Sequence, residues 1–130
     1  MFSHICIGIT DYGRAHKFYT PIMERLGLAL RFSDSGRPFA AWSPANLARP
    51  LFFIGSPYDG KAAAPGNGNM TALLARDRPT VDACHALALQ NGGTSEGAPG
   101  LRAHYHPDYY AAYFRDPDGN KICVVCHEPA

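Results

Sequence analysis

The chain has 130 residues, of which 46% are hydrophobic and 18% are charged. This balance predicts one folded domain and argues against intrinsic disorder. A formal net charge of +1 leaves no basic surface for nucleic acid or an anionic membrane, and no apolar run has the roughly 18 residues that cross a bilayer.

Four cysteines are present, three of them among apolar neighbours on predicted strands or a predicted helix. Such cysteines are typical of free thiols in a reducing compartment. The first residues also lack the basic and apolar regions of a secretory signal. A cytoplasmic location is therefore expected.

The first half of the chain predicts a strand, a helix and three short strands. Residues 4–9 alternate, with isoleucines on one face and His4, Cys6 and Gly8 on the other. Asp11 offers a helix N-cap, and Gly27 ends the helix. Its apolar positions are spaced as on one helical face: Ala15, Phe18, Tyr19, Ile22 and Leu26. Short strands are expected over 28–32, 39–42 and 51–54.

The second half repeats this order after a linker rich in proline, glycine and alanine over residues 56–68. A strand is predicted over 70–75, followed by a helix that Asp77 caps, with Pro79 in its first turn. Glycines at 92 and 93 stop this helix. A loop or short strand is expected to continue to Gly100.

A hairpin closes the chain around the sequence Asp116-Pro-Asp-Gly-Asn120. Proline sets the first turn angle, and glycine or asparagine accepts the left-handed conformation that follows. A tight turn brings Tyr113 beside Cys123. Cys123 and Cys126 are three residues apart on a strand and therefore face opposite sides, which argues against a redox pair or a zinc ribbon.

The two halves look like one unit used twice. Placing His4 on Met70, an offset of 70 − 4 = 66, also places Asp11 on Asp77. Because about 60 residues bury too little surface to fold alone, the halves must share a core. The predicted fold is α+β, with two βαβββ modules (about 1–55 and 69–130) related by a pseudo-twofold axis. Mixed sheets would curve round a cleft, with the helices outside.

These features resemble the vicinal oxygen chelate superfamily, which contains glyoxalases, bleomycin-resistance proteins and extradiol dioxygenases. The resemblance rests on the opening His-Ile-Cys-Ile-Gly-Ile-Thr-Asp, on the repeated strand and helix order, and on the closing Phe-Arg-Asp-Pro-Asp-Gly-Asn-Lys-Ile. It covers essentially the whole chain. It also implies a homodimer, because open sheets of this kind leave edges that a second copy can cover.

In that family a divalent metal is held in the cleft by residues at the first and last strands of each module. His4 matches the first ligand position, whereas Met70 and Cys123 stand where the family has oxygen or imidazole ligands. No acidic residue lies between Ser43 and Tyr58 to supply the remaining ligand. One imidazole, a thioether and a thiol suit hard cations poorly, so the donor set favours a metal-free pocket.

Several side chains are candidates for chemistry in the cleft. Cys123 could act as a nucleophile with His4 as its base, or line the pocket as a structural thiol. Five further residues are predicted to contact a ligand: Trp42, His104, Tyr105, His106 and Tyr113. Histidines two apart on an extended segment share a face and can contact a ligand, or instead bond to the loop backbone. Trp42 forms either a cleft wall or part of the core.

Two functions follow from the resemblance, and they differ in the need for a metal. The first is a metal-dependent lyase or isomerase of the lactoylglutathione-lyase type, or a dioxygenase relative, with one divalent ion. The second is a module that binds a flat or amphipathic small molecule, such as a drug, without transforming it. A purely structural or dimerising role is the third reading.

Overall fold

The computed structural model describes all 130 residues and contains two βαβββ modules in series. Module 1 comprises β1 (His4–Gly8), α1 (Tyr12–Arg25), β2 (Leu28–Asp34), β3 (Phe39–Pro44) and β4 (Leu51–Gly55). Module 2 comprises β5 (Thr71–Leu74), α2 (Arg78–Gln90), β6 (Thr94–Leu101), β7 (Tyr110–Arg115) and β8 (Lys121–Cys126).

Each module forms its own mixed sheet of four strands. Sheet A has the order β1-β4-β3-β2, and sheet B has the equivalent order β5-β8-β7-β6. The first and last strands of each module pair in parallel, and the remaining pairs are antiparallel. The α+β fold and the internal repeat predicted from the sequence are confirmed.

Both helices begin where their sequence caps predict. The side chain of Asp11 accepts a hydrogen bond from the Arg14 backbone N–H (3.0 Å), and Asp77 accepts one from Thr80 (2.8 Å). Each bond satisfies an N–H group that has no partner inside the helix. Beyond α1, Gly27 adopts a φ of 76°, a left-handed conformation that favours glycine.

A single apolar core joins the two modules. The two helices contact each other, and their buried sides pack on one face of each sheet. The ring of Phe18 on α1 meets that of Phe114 on β7 edge to face, with centroids 5.9 Å apart. The opposite faces, called here the outer faces of sheets A and B, lie away from this core.

The hairpin Asp116–Asn120 is organised by one buried carboxylate. Its Oδ1 accepts from the backbone N–H groups of Asp118 and Asn120, both at 2.9 Å. Its Oδ2 accepts from the hydroxyl of Tyr19 on α1 (2.5 Å) and from Asn120 Nδ2 (2.9 Å). Burial, followed by the charge of Asp116, raises the pKa of Tyr19 well above its ordinary value, so this hydroxyl remains a donor.

The same hairpin binds the junction between β1 and α1. Asn120 Nδ2 donates to the carbonyl oxygen of Gly8 (2.8 Å). Asp118 Oδ1 accepts from the backbone N–H of Thr10 (3.0 Å) and from Arg14 Nη2 (3.2 Å). The turn that the sequence predicts is therefore also the main polar connection between the modules.

Strand β6 is longer than the loop or short strand expected from the sequence. It spans eight residues, although it contains Pro99 and two glycines. Its pairing with β7 shifts register twice, on either side of Gly97. An edge strand tolerates such irregularities because a bulge can absorb residues that do not fit the ladder.

The two cysteines of the closing strand are separated as predicted. Cys126 belongs to the shared core, whereas Cys123 belongs to a small cluster on the outer face of sheet B. All four thiols are free. Neither helix has the length and hydrophobicity that a membrane span requires.

Candidate functional site

A cavity of about 1110 Å³ lies between β1 and β5 and is called here the β1–β5 cleft. Each of these strands forms one of the two edges of its sheet, and the two strands do not pair with each other. Its apolar walls come from both modules: Ile5, Ile7, Phe52, Met70, Leu73 and Leu74. Lys121 is the one charged residue in the lining, which contains no histidine and no carboxylate.

Arg31 fixes the connection between β3 and β4 that forms one wall of the cleft. Its Nε donates to the Ser43 hydroxyl (2.6 Å). Its Nη2 donates to the carbonyl oxygens of Pro44 (2.8 Å), Ala45 (3.0 Å) and Leu47 (3.2 Å). Because Ser43, Pro44 and Ala45 line the cleft, one guanidinium on β2 shapes its wall.

Trp42 is both a core residue and a cleft residue. Only 2% of its surface is exposed, and its ring lies 6.5 Å from that of Phe52 and 6.1 Å from that of His16. It also lines the β1–β5 cleft. Trp42 therefore belongs to the core and also borders the cleft, while its contact with a ligand stays a prediction.

Six aromatic rings gather beside the outer face of sheet B. This aromatic cluster consists of His104, Tyr105, His106, Tyr109, Tyr113 and His127. Tyr105 lies 4.9 Å from Tyr109 between ring centroids, and His106 stacks on His127 at 5.0 Å. The structure thus brings together four of the five residues predicted to contact a ligand, whereas Trp42 lies in sheet A.

Cys123 lies beneath two tyrosines of this cluster. Tyr113 is its register partner, as the tight turn predicts, and Tyr109 Oη lies 4.0 Å from its Sγ. The two tyrosine hydroxyls are 3.0 Å apart. Burial raises the pKa of the Cys123 thiol and of both phenols, so all three groups are protonated near neutral pH. This environment does not activate a thiolate.

His4 lies on the outer face of sheet A, away from these groups. It is exposed, its Nδ1 is 2.9 Å from the Ser3 hydroxyl, and its ring meets Phe53 edge to face at 5.5 Å. Cys123 belongs to the other sheet, and it contacts phenols rather than an imidazole.

The residues at the family's ligand positions do not fit a divalent cation. They supply one imidazole, one thioether and one buried thiol, which match neither the oxygen ligands of hard cations nor a complete set for zinc. No three histidine, cysteine or acidic side chains are grouped so that they could hold a metal ion.

The sequence did not single out three basic residues that the structure places at these sites. Arg31 fixes the cleft wall, and Arg102 and Lys121 each lie within 6 Å of the centroid of the Tyr113 ring. Strand alternation places Lys121 on the face of Cys123 and could have identified it. Arg102 follows strand β6, where bulges interrupt the alternation of side chains between the two faces. The sequence therefore gave no indication of the face on which Arg102 lies.

The model of the Glyoxalase/Bleomycin resistance protein/Dioxygenase superfamily matches residues 1–124. The chain therefore belongs to this superfamily. It is similar over 97% of its length, and over 98% of the other chain, to the structure of a glyoxalase/bleomycin resistance protein from Albidiferax ferrireducens T118. Identity is 35% and the TM-score is 0.86. A comparison with curated proteins finds no match.

More distant structures share the fold. A glyoxalase/bleomycin resistance protein/dioxygenase family enzyme from Burkholderia phytofirmans PsJN has a TM-score of 0.71 at 18% identity, with 97% of this chain and 98% of that chain covered. TnmS3, an antibiotic binding protein from Streptomyces sp. CB03234, has a TM-score of 0.66 at 20% identity, with 98% and 96% covered.

Proposed function

We propose that this protein binds a small, largely apolar molecule in the β1–β5 cleft and does not transform it. The observation that carries this proposal is the lining, which is apolar and contains a single charged side chain. General acid–base catalysis most often uses a histidine or a carboxylate, and the lining has neither; its titratable side chains are Lys121 and Cys6. Lining asparagines, serine and threonine can orient a ligand by hydrogen bonds but are poor proton carriers at neutral pH.

The relatives support a binding role without defining the ligand. One structural neighbour is described as an antibiotic binding protein, and the superfamily name includes bleomycin resistance. Since identity to that neighbour is 20%, the comparison supports the fold and leaves the ligand to the chemistry of this chain.

A metal-dependent lyase or isomerase is the second candidate, because His4 occupies the family's first ligand position. The remaining positions argue against it, since Met70 and Cys123 offer a thioether and a buried thiol. Elemental analysis of untagged protein separates the two functions. One equivalent of a divalent metal, lost in His4→Ala, would support the lyase and contradict the proposed function.

We also propose that two copies associate and that the protein works in the cytoplasm. Strands β2 and β6 are the other edges of the two sheets, and apolar side chains on them are exposed, including Leu101 at 49% and Leu30 at 48%. A second copy would cover such edges. Four free cysteines suit a reducing compartment. Sedimentation equilibrium tests the association.

Calorimetry with a neutral aromatic probe, 2-naphthamide, tests the binding proposal. Ala72 is exposed and lines the cleft, so Ala72→Phe should fill the cavity and weaken probe binding by about tenfold or more. Ala86→Phe places the same ring on the exposed side of α2 and serves as the matched control. Trp42 is the only tryptophan, so a shift of its indole N–H resonance locates the probe.

Two results would contradict the proposal. One is the absence of any probe binding to the wild-type chain. The other is equal binding by Ala72→Phe and Ala86→Phe, which would place the probe outside the β1–β5 cleft.

A further inference from the structure

We propose that the bound molecule carries a carboxylate, which contacts Lys121 and Arg102 beside the ring of Tyr113. This anion subsite adjoins the β1–β5 cleft and would make the ligand an aromatic or apolar monoacid. The inference rests on the proposed function, because it names the ligand class of the same site.

Lys121 connects the cleft to the aromatic cluster. Lys121 is a lining residue of the cleft, and its Nζ lies 5.7 Å from the centroid of the Tyr113 ring. Arg102 Cζ lies 5.4 Å from the same centroid. One aromatic ring thus has two cationic groups around it, and one of these groups borders the cavity.

Neither cation is neutralised by a carboxylate. No acidic oxygen lies within 4.0 Å of either Lys121 or Arg102. Glu96 is attracted by Lys121, but its hydrogen bond goes to Arg115, which is the main reason that its pKa is lowered. Two uncompensated positive charges near one ring favour an anionic ligand.

Arg102 is held in place by neutral acceptors. Its Nη1 donates to the carbonyl oxygen of Gly100 and its Nη2 to that of Ala98, both at 2.8 Å. These bonds fix the guanidinium without cancelling its charge. The guanidinium is therefore already ordered, and anion binding costs little side-chain conformational entropy.

The tyrosine pair adds a hydrogen-bond donor. Tyr109 and Tyr113 share one hydrogen bond between hydroxyls 3.0 Å apart, so one of the two O–H groups donates and the other keeps its proton. Beneath them, Ala111, Cys123 and Val125 form an almost fully buried apolar floor. Two cations beside the tyrosine hydroxyls suit a carboxylate ligand.

Two probes of the same shape test this inference: 2-naphthoate and neutral 2-naphthamide, each titrated by calorimetry at low salt. The wild-type chain should bind naphthoate about tenfold tighter than naphthamide, because a charge-assisted contact adds roughly one decade of affinity. Lys121→Gln should reduce this preference to about threefold or less, and Lys121→Arg should retain it. Lys17→Gln removes an exposed charge on α1 and is the matched control.

The outcomes separate the two proposals. Equal affinity of the wild type for both probes would overturn the anion subsite and leave the cleft function standing. A preference that survives in both Lys121→Gln and Arg102→Gln, with both variants folded by circular dichroism, would also overturn it. Failure of both probes to bind would overturn the subsite together with the proposed function.

Discussion

Modules 1 and 2 have the same topology but present different chemistry on their outer faces. On sheet A that face carries the exposed His4 and Cys6 beside Phe53, with Phe32 39% exposed. On sheet B the equivalent face is covered, and Cys123 lies fully buried beneath tyrosines. The two modules thus share their topology but not the exposure of their outer faces.

The two modules also fix the connection between their last two strands by opposite chemistry. In module 1 the cationic Arg31 donates to three carbonyl oxygens of the β3–β4 connection. In module 2 the anionic Asp116 accepts four hydrogen bonds that shape the β7–β8 hairpin. Only the second network reaches the other module. The carboxylate should therefore matter more for the stability of the whole chain.

Removal of the Asp116 carboxylate should give the largest effect. Asp116→Ala leaves the Tyr19 hydroxyl and the Asn120 amide buried without their acceptor, which should cost about 3 kcal/mol of unfolding free energy. We expect the melting temperature to fall by roughly 10 °C. Asp59→Ala, on an exposed turn of the linker, is the control and should change stability by less than about 0.5 kcal/mol.

A small loss in Asp116→Ala, equal to that in the Asp59 control, would show that the hairpin does not connect the modules energetically. Urea titration of both variants measures the two free energies directly.

Thiol labelling should sharpen the contrast between the two outer faces. Cys6 is exposed, whereas Cys84 and Cys123 are buried and burial raises the pKa of the Cys84 thiol to about 12. Iodoacetamide should modify Cys6 at least about 100-fold faster than Cys123, because the buried thiols react only after local opening. Mass spectrometry of peptides measures each rate.

Two variants test the cause of that difference. Tyr109→Ala removes a ring that packs over Cys123 and should accelerate its labelling, while the Cys6 rate stays unchanged. Cys6→Ser should abolish the fast reaction. Similar wild-type rates for both cysteines would contradict the described cover over sheet B.

Much of the fold could be predicted because local signals agreed with the global pattern. Asp11 and Asp77 cap helices at equivalent positions, and the turn chemistry of residues 116–120 identifies a hairpin without reference to the core. The same local reasoning failed at β6, since bulges break the alternation on which a strand prediction depends.

The site was less predictable because it depends on contacts between distant residues. The aromatic cluster was partly visible, since His104, Tyr105 and His106 are adjacent in sequence. The β1–β5 cleft could not be located from the sequence, because it lies between two sheet edges that do not pair. No local sequence motif predicts where such edges stay apart. The role of Arg31 could not be predicted either, because its acceptors are mainly backbone carbonyl oxygens, which every residue has.

Removal of the Arg31 guanidinium should have an intermediate effect that is confined to module 1. Arg31→Ala should cost roughly 1 kcal/mol of stability and speed amide exchange over residues 45–47, because the carbonyl oxygens of Ala45 and Leu47 lose a shared donor. Probe affinity in the cleft should fall as its wall loosens. Arg49→Ala is the control, since its Nη1 donates only to the adjacent Ala48 carbonyl. Equal exchange rates in the two variants would contradict this role.

The smallest effect concerns Tyr19 and His85, which are equivalent under the offset of 66 (19 + 66 = 85). His85 is buried and its Nε2 lies 2.9 Å from the Ser95 hydroxyl. Burial lowers the pKa of His85, so the folded chain resists a proton that the unfolded chain accepts near pH 6.5. Stability should therefore fall as pH decreases through 6.5 towards the lower folded pKa.

His85→Gln should flatten this dependence between pH 7.5 and 5.5, as measured by urea titration at each pH. Tyr19→Phe should lower stability by a similar amount at both pH values, because the pKa of Tyr19 is raised far above this range. A wild-type slope that survives in His85→Gln would assign the pH dependence to another group. The expected pattern would show that, of the two equivalent helix positions, only position 85 in module 2 makes stability depend on pH between 5.5 and 7.5.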